Sequence, residues 1–277
     1  MEEDGRVEEQ LYFEYTSLNL SSPPRVAQVR SFEEAYESLE AKAYDLIIAM
    51  PGVDIGEPFR EAKVIKKKYP NIPVVVLTPF SHEVSRRLAK EDFSGVDYVF
   101  SWLGNVELLL AIIKLMEDKL NGDNDILEVG VQTILLVEDS VRFYSSVLPH
   151  LYKFLLKQSL IFSTEALNEH EQMLRMRGRP KVMLARTYEE AEELYEKYKG
   201  QILGIISDVS FTHNGEKDKT AGIKLAKELK KRNPYIPIIL ESSEVENAFY
   251  AEKLGVSFID KNSKKFPQDL RKTIYDN

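Results

Sequence analysis

Four short apolar runs in the second half of this chain each lead to side chains that could act on a phosphoryl group. In chain order these side chains are Glu138 with Asp139, then Asp208, Ser242 and Lys261. The carboxyl ends of parallel strands meet at one edge of an open α/β sheet, and ligands bind there. If each apolar run forms a strand, we expect these residues to lie together at that edge.

The residue types suit one kind of chemistry. Clustered carboxylates bind hard divalent cations such as Mg²⁺, which prefer oxygen ligands. An aspartate beside such a cation can attack a phosphoryl group and form an acyl phosphate. In this interpretation Asp208 is the acceptor, Lys261 neutralises the phosphoryl oxygens, and the Ser242 hydroxyl donates a hydrogen bond to one of them.

Each residue alone has a simpler explanation. Asp139 and Ser140 could cap a helix that begins at Val141. Asp208 could be a loop carboxylate, and exposed serine and lysine are common on any protein surface. The joint interpretation is favoured because the acidic, hydroxyl and lysine residues follow successive strands of one strand–helix pattern.

Composition narrows the class of protein. The chain has 277 residues, 43% hydrophobic and 30% charged, which is typical of one large or two ordinary folded domains. The net charge of -8 argues weakly against nucleic-acid binding, and the lack of cysteine excludes disulfides, thiolate catalysis and cysteine-bound metals. No apolar stretch approaches the roughly 18 residues of a membrane span, and the N-terminus lacks a signal-peptide pattern. We therefore expect a soluble cytoplasmic protein that binds neither nucleic acid nor membrane.

The chain contains two copies of one unit. The matching segments are 31–35 with 187–191, 69–76 with 233–240, and 94–100 with 254–260. In each copy short apolar runs alternate with segments of helical period, which predicts a parallel sheet covered by helices on both faces. The polar, glycine-containing segment 120–125 is predicted to be a linker. The expected domains are residues 1–120 and 131–277.

Residues 131–277 resemble a response-regulator receiver domain of two-component signalling. That family has an acidic pair after its first strand, a phospho-accepting Asp after the third, Ser or Thr after the fourth and Lys after the fifth, which is the order found here. The resemblance implies a parallel sheet of five strands in flavodoxin-like order 2-1-3-4-5 with helices on both faces. It also implies Mg²⁺ as cofactor and a histidine kinase or phosphotransfer protein as partner. The implied metal ligands are Glu138, Asp139, Asp208 and the backbone carbonyl of Ser210, and the implied switch aromatic is Phe258.

Two features depart from the family pattern. The loop 212–220 after the acceptor is longer and more charged than usual and lacks the usual proline. Asp260 precedes Lys261 directly and could weaken its hold on a phosphoryl group. Both departures bear on the rate of phosphorylation more than on the fold.

The first copy resembles the same family through residues 25–117 but lacks its chemistry. Met50 stands in register with the acceptor aspartate, and a thioether cannot accept a phosphoryl group. Thr78 is retained, Ser101 stands in register with Lys261, and the acidic pair has no counterpart. The resemblance implies a degenerate, pseudo-receiver domain with the same five-stranded sheet and strand order as the second copy, and we expect it to serve as an interaction or dimer surface. Because no apolar run precedes residue 20, either the chain is a fragment without the first strand or another segment replaces it; the fragment is favoured.

The stretch from Ser140 to Gly178 is longer than the usual first helix of a receiver, which has about 15 residues. Its apolar positions are Tyr144, Val147, Leu148, Leu151, Leu155, Leu156, Leu160, Leu167, Met173, Leu174 and Met176. One interpretation is a longer helix packed on its own domain. The favoured one is a helix or helical hairpin that projects to a partner, because one small sheet cannot cover so much apolar surface. We therefore expect residues 141–177 to bind either another protein or a second copy of the chain as a homodimer.

The favoured function is that of a phosphorelay signalling protein. Such a protein is not an enzyme, except that it can phosphorylate and dephosphorylate itself. One alternative is an interaction or dimerisation scaffold that is not phosphorylated. A less favoured alternative is a Mg²⁺ phosphohydrolase with an aspartate nucleophile. Against it, the sequence has no second carboxylate close behind Asp208 that could act as the acid. The tandem also resembles the N-terminal part of larger bacterial signalling proteins that carry a phosphoenolpyruvate/pyruvate-binding module.

Overall fold

The computed structural model describes residues 6–20, 22–52, 54–79, 91–102, 104–164, 168 and 178–276. The chain divides into two compact units, Met1–Met116 and Glu117–Asn277. Both contain parallel strands connected through helices, so the predicted α/β class is confirmed. Within the described residues, no helix combines the length and the apolar character needed to cross a membrane.

The first unit is built on a small parallel sheet. Its strands are β1 (Ile47–Ala49), β2 (Val74–Pro79) and β3 (Tyr98–Trp102), hydrogen-bonded in that order. Its helices are α1 (Arg6–Ser17), α2 (Phe32–Ala41), α3 (Glu57–Lys68) and the first part of α4 (Val106–Gly122). Residues 74–77 are fully apolar and buried, as is typical of a central parallel strand. Ser31 begins α2 by accepting a hydrogen bond from the Glu34 amide at 3.2 Å.

The five-stranded sheet expected for the first unit is wrong for its described residues, which form three strands. The N-terminal segment contributes α1 instead of a strand. Leu11, Tyr15 and Leu18 recur at helical spacing and are buried, and the Lys114 ammonium lies 4.9 Å from the centre of the Tyr15 ring. An apolar stripe of period 3.6 cannot cover a sheet face as a strand, so the local pattern favours the helix.

The second unit has a larger parallel sheet. Its strands are β4 (Thr133–Val137), β5 (Lys181–Ala185), β6 (Ile202–Asp208), β9 (Ile238–Ser242) and β10 (Ser257–Asp260). They pair in the order β5-β4-β6-β9-β10, so β4 and β6 are central. Two short strands, β7 (Phe211–His213) and β8 (Glu216–Asp218), form a separate antiparallel hairpin directly after β6.

Helices connect the strands of the second unit. They are α5 (Val141–Ser163), α6 (Tyr188–Tyr198), α7 (Ala221–Arg232), α8 (Ala248–Leu254) and α9 (Phe266–Asp276). Alternate residues of β4, Leu135 and Val137, enter a core that also contains residues of α6, α7 and α8. Helix α5 contacts α9. This packing fixes the carboxyl edge of the sheet, where the candidate site lies.

The polar linker expected at residues 120–125 is instead helical. Helix α4 continues to Gly122 and is followed by a π-helical segment, Asp123–Glu128. Ile126 is fully buried in the core of the second unit, and the Tyr198 hydroxyl donates to Asp123 at 2.7 Å. Together with the ion pair between Lys181 and Asp125 at 2.6 Å, these contacts hold the segment against the rest of the second unit.

Asp118 connects α4 to β5 and α5 through a buried network. Its carboxylate accepts two bonds from the Arg179 guanidinium, at 2.7 and 3.0 Å, and one from the Tyr152 hydroxyl at 2.9 Å. The Val182 amide donates to it at 2.9 Å. The buried negative charge of Asp118 is therefore compensated by the positive Arg179 guanidinium and by hydrogen bonds from Tyr152 and Val182.

The expectation that the stretch after Ser140 projects from its domain is wrong for the first part of α5. The apolar residues of this part are all buried within the chain: Tyr144, Val147, Leu148, Leu151, Leu155 and Leu156. Large apolar side chains of α5 that are exposed begin only at Ile161 and Phe162. Leu167, Met173, Leu174 and Met176 lie outside the described residues.

Candidate functional site

The ends of the parallel strands bring four predicted site residues together. Glu138 and Asp139 follow β4, Asp208 ends β6, and Lys261 follows β10. The Glu138 amide donates to the Ala185 carbonyl at 2.9 Å, which extends the β4–β5 pairing to this position.

Lys261 lies between two carboxylates. Its Nζ donates to Glu138 Oε2 and, at 2.9 Å, to Asp208 Oδ1. The lysine side chain is 2% exposed, so this is a buried ion pair rather than a surface contact. Burial alone would lower the pKa of Lys261, but the negative charges of Glu138, Asp208 and Glu241 raise it above its usual value.

Glu138 is held by both of its oxygens. Oε2 accepts from Lys261, and Oε1 accepts from the Ser140 amide at 2.9 Å. Burial raises the pKa of Glu138 to about 7, with Lys261 acting to lower it and Asp208 to raise it further. The contact with charged Lys261 thus opposes, but does not cancel, the rise in the pKa of Glu138 that burial causes.

Asp208 has one engaged and one open oxygen. Oδ1 accepts from the Val209 amide at 2.8 Å and from Lys261 at 2.9 Å. Among the described residues, none donates to Oδ2. A carboxylate that is oriented through one oxygen and open at the other is suited to act as a nucleophile.

The loop after Asp208 passes unusually close to α7. A Cβ atom on Gly222 would lie 2.1 Å from the Asp208 carbonyl oxygen, and the Gly222 amide donates to the Val209 carbonyl at 3.0 Å. Only glycine fits this approach, so Gly222 fixes the backbone on which the candidate nucleophile stands.

Asp139 completes the acidic group and is the most exposed of its members. Glu138, Asp139 and Asp208 each offer a ligand atom, and these atoms lie within 4.8 Å of one another. All are hard carboxylate oxygens, which is the donor set that Mg²⁺ prefers, so the residues fit this cation. Ser210, the predicted source of a carbonyl ligand, is half-buried between β6 and β7.

The other two predicted residues are not bonded to the acidic group. The buried Ser242 hydroxyl accepts from the Asn247 side-chain amide at 2.9 Å and from the Glu244 amide at 3.1 Å. Phe258 is half-buried against the core of the unit. In this conformation, therefore, both belong to the turn and core beside the site.

Glu241 is a site residue that sequence reasoning missed. It lies between Leu240 and Ser242 in β9, is 1% exposed, and its Oε2 has no hydrogen-bond partner within the described residues. Burial raises the pKa of Glu241 to about 8; Lys261 acts to lower it, and nearby carboxylates to raise it. A charged residue inside a buried apolar strand was the available sequence signal.

Phe143 and the β7–β8 hairpin were also missed. The Phe143 ring centre lies 4.2 Å from Lys261 Nζ, a cation–π contact that covers the buried ion pair. From the hairpin, Thr212 Oγ1 donates to Asp139 Oδ2 at 3.1 Å, and Lys217 Nζ lies 2.7 Å from Asp139 Oδ1. The long charged loop thus forms part of the site.

The first unit has no comparable site among its described residues. Met50 follows β1 and is 55% exposed, and the Thr78 hydroxyl donates to the Phe100 carbonyl at 3.4 Å. The only group of three clustered acidic residues in the described part of the chain is the one in the second unit.

Strand pairing corrects the register predicted for β3. The paired residues are Thr78 with Ser101 in the first unit and Ser242 with Asp260 in the second. Because Thr78 is the counterpart of Ser242, the residue that matches Lys261 is Trp102, not Ser101. The first unit therefore has a bulky aromatic residue at the position of the lysine.

No protein-family model and no curated protein matches this chain. A receiver-domain protein of a response regulator from Clostridium thermocellum is 21% identical, with 52% of this chain and 92% of that chain covered and a TM-score of 0.35. A probable two-component response regulator/GGDEF-domain protein is 17% identical, with 98% and 93% covered and a TM-score of 0.36. GanP, a glucose-galactose binding protein from Geobacillus stearothermophilus, is 16% identical, with 98% and 84% covered and a TM-score of 0.26. Similarity at this level does not identify a function, which must be argued from the geometry of the site.

Proposed function

We propose that the second unit is the phospho-acceptor of a two-component relay, with Asp208 as the acceptor. The observation that supports this most is the position of Lys261, which contacts both Glu138 and Asp208 from a buried site. A phosphoryl group on Asp208 needs positive charge close by, and a fixed, desolvated cation supplies it without reorganisation.

The donor in this proposal is a phosphohistidine of a histidine kinase or phosphotransfer protein. Asp208 Oδ2 attacks the phosphorus atom, the new O–P bond forms as the P–N bond breaks, and the imidazole leaves with the bonding electron pair. Lys261 keeps the carboxylate oriented through Oδ1 during this step. The product is an acyl phosphate on Asp208.

Glu138, Asp139, Asp208 and the Ser210 carbonyl would hold Mg²⁺. When bound, the ion supplies positive charge that offsets the charge of the phosphoryl oxygens. Around it, the buried Glu138 stays fixed by Lys261 and the Ser140 amide, so the side chain that can adjust is Asp139.

The proposed output is a rearrangement at the β9 edge. The Ser242 hydroxyl would leave Asn247 and the Glu244 amide and donate to a phosphoryl oxygen, and Phe258 would shift with it. The first unit, with Met50 where an acceptor would stand, would serve as an interaction module. The tandem would work in the cytoplasm as the front part of a longer signalling protein.

Intact-mass spectrometry tests the proposal. The full chain is incubated with acetyl phosphate and Mg²⁺ as wild type, Asp208→Asn and Asp260→Asn. Asp260 is a matched control because it is a nearby aspartate whose carboxylate accepts from the Asn262 amide at 2.8 Å rather than from Lys261. We expect one phosphoryl adduct on the wild type and on Asp260→Asn, and none on Asp208→Asn. An adduct that survives Asp208→Asn would overturn the assignment.

A scaffold that is not phosphorylated is the second candidate. It is favoured by the contacts of Asp139 with Lys217 and of the Ser242 hydroxyl with Asn247, because both groups already have protein partners at rest. No adduct on the wild type, with Mg²⁺ bound, would support this candidate. A sustained turnover of a phosphomonoester would instead support a phosphohydrolase.

A further inference from the structure

The long loop after Asp208 is an ordered arm. Strands β7 and β8 pair Thr212 with Lys217 and His213 with Glu216. The turn is Asn214-Gly215, both with positive φ (53° and 78°), which is the backbone that tight antiparallel hairpins prefer. Phe211 at its base is fully buried in the core of the unit. The arm therefore has a defined position at the site.

The arm is also anchored by contacts that do not involve Asp139. The His213 ring stacks on Tyr188 with 4.3 Å between ring centres, and the Asn214 amide donates to Glu189 at 2.8 Å. At the other end, Asp218 accepts from the Thr220 amide at 2.9 Å. A side chain of the arm can therefore dissociate from Asp139 while the hairpin backbone keeps its position.

Both oxygens of Asp139 are engaged by one cross-strand pair of the arm. Lys217 Nζ donates to Oδ1 at 2.7 Å and to Oδ2 at 3.0 Å, and Thr212 Oγ1 donates to Oδ2 at 3.1 Å. Paired residues on an antiparallel ladder project from the same face, so the two side chains reach the carboxylate together.

The two lysines of the site differ in how readily they can leave. Lys261 is 2% exposed and contacts two carboxylates, so removing it would leave buried charge uncompensated. Lys217 is 54% exposed and contacts only Asp139 among the described carboxylates. An exposed ion pair of this kind is weak, and water replaces it easily. Lys217 is therefore the replaceable cation.

We propose that Lys217 is a tethered cation that competes with the divalent cation for Asp139, so that the arm sets the cation concentration at which the site fills. The proposal rests on the proposed function only in that the acidic group binds Mg²⁺; it needs no phosphorylation. Asp139 cannot bind Lys217 and the metal ion through the same oxygens at the same time. Each of these two ligands therefore weakens the binding of the other to Asp139, and the coupling is reciprocal.

Isothermal titration of the full chain with Mg²⁺, at fixed ionic strength and without phosphodonor, tests the competition. Lys217→Met should tighten Mg²⁺ binding by about two- to fivefold. The matched control Lys219→Met removes the same charge from the same loop at an exposed residue and should change the Kd by less than about 1.5-fold. Lys217→Arg, which keeps charge and donors, should bind Mg²⁺ like the wild type.

A second readout follows from reciprocity. Amine acylation followed by peptide mass spectrometry should show that Mg²⁺ speeds modification of Lys217 but not of Lys219. Equal Kd values for Lys217→Met and Lys219→Met, with no change in Lys217 acylation, would overturn the competition while leaving the metal site intact. If neither the wild type nor any variant binds Mg²⁺, the competition and the metal part of the proposed function fall together.

Discussion

Lys261 Nζ lies 2.9 Å from Asp208 Oδ1, and the lysine that makes this contact is 2% exposed. The nucleophile and its counter-charge are thus fixed before any ligand arrives. Such preorganisation is what a site needs if charge develops there during phosphoryl transfer. It also makes the stability of the second unit depend on the lysine.

Replacing Lys261 should therefore destabilise the protein strongly. Lys261→Met leaves Glu138 and Asp208 without their shared cation and should lower the free energy of unfolding by about 3 kcal/mol. The loss should be smaller at pH 5 than at pH 8, because a protonated Glu138 no longer carries an unpaired charge. Urea unfolding followed by circular dichroism measures it.

The double variant Lys261→Met/Glu138→Gln is the control for that effect. It should recover part of the lost stability, since it removes one of the two uncompensated carboxylates. A Lys261→Met protein as stable as the wild type at pH 8 would show that the ion pair is not buried in solution.

Glu241 should make stability fall as pH rises. Its pKa is raised from 4.5 to about 8 in the folded protein, so between these values the folded state binds a proton that the unfolded state has lost. The stabilisation from Glu241 is complete below pH 4.5 and is lost as pH rises through about 8. Glu241→Gln removes this dependence and should be more stable than the wild type at pH 8.5 by roughly 1–3 kcal/mol.

Glu138 also has a raised pKa and its charge raises that of Glu241, so the Glu241→Gln comparison reports Glu241 together with its coupling to Glu138. Exposed Glu244, three residues further along, provides the matched control variant Glu244→Gln, which should keep the wild-type slope. If stability plotted against pH is parallel for wild type and Glu241→Gln, the Glu241 carboxyl is solvated or has a partner.

A methyl group at Gly222 should distort the candidate site, although Gly222 itself is not a site residue. The added Cβ would lie 2.1 Å from the Asp208 carbonyl oxygen, so the backbone under the nucleophile must move. We expect Gly222→Ala to lose about 2 kcal/mol of stability and to bind Mg²⁺ more weakly. Gly200→Ala is the control, because nothing lies within 4 Å of a Cβ there. Equal behaviour of the two variants in unfolding and in titration would refute the close approach.

The four residues at the sheet edge could be predicted because a buried parallel strand has a simple signature. A carboxylate or lysine that follows an apolar run lies at the carboxyl edge of the sheet, and this position does not depend on the conformation of the loops. Asp208 and Lys261 meet for this reason. Ser242 shows the limit of the argument: its position could be predicted, but its hydrogen-bond partner Asn247 depends on the shape of the following turn.

Other features depend on contacts that no local pattern reveals. The segment 120–125 has a linker composition, yet Asp123 and Ile126 dock it against the second unit. The pairing of Thr78 with Ser101, which moves the match of Lys261 from Ser101 to Trp102, also depends on how the strands align in space. The Asn214-Gly215 pair is typical of a hairpin turn but was not predicted as one, and nothing in the sequence shows that Lys217 reaches Asp139.

Chemical trapping shows directly whether Asp208 carries the phosphoryl group. After incubation with acetyl phosphate and Mg²⁺, borohydride reduces an acyl phosphate of aspartate to homoserine, which peptide mass spectrometry locates. The assignment of Asp208 as the acceptor predicts homoserine at position 208 alone, with Lys217, Lys261 and the acidic pair unchanged. Homoserine at position 139 or elsewhere, or a phosphoryl adduct that yields none, would contradict it.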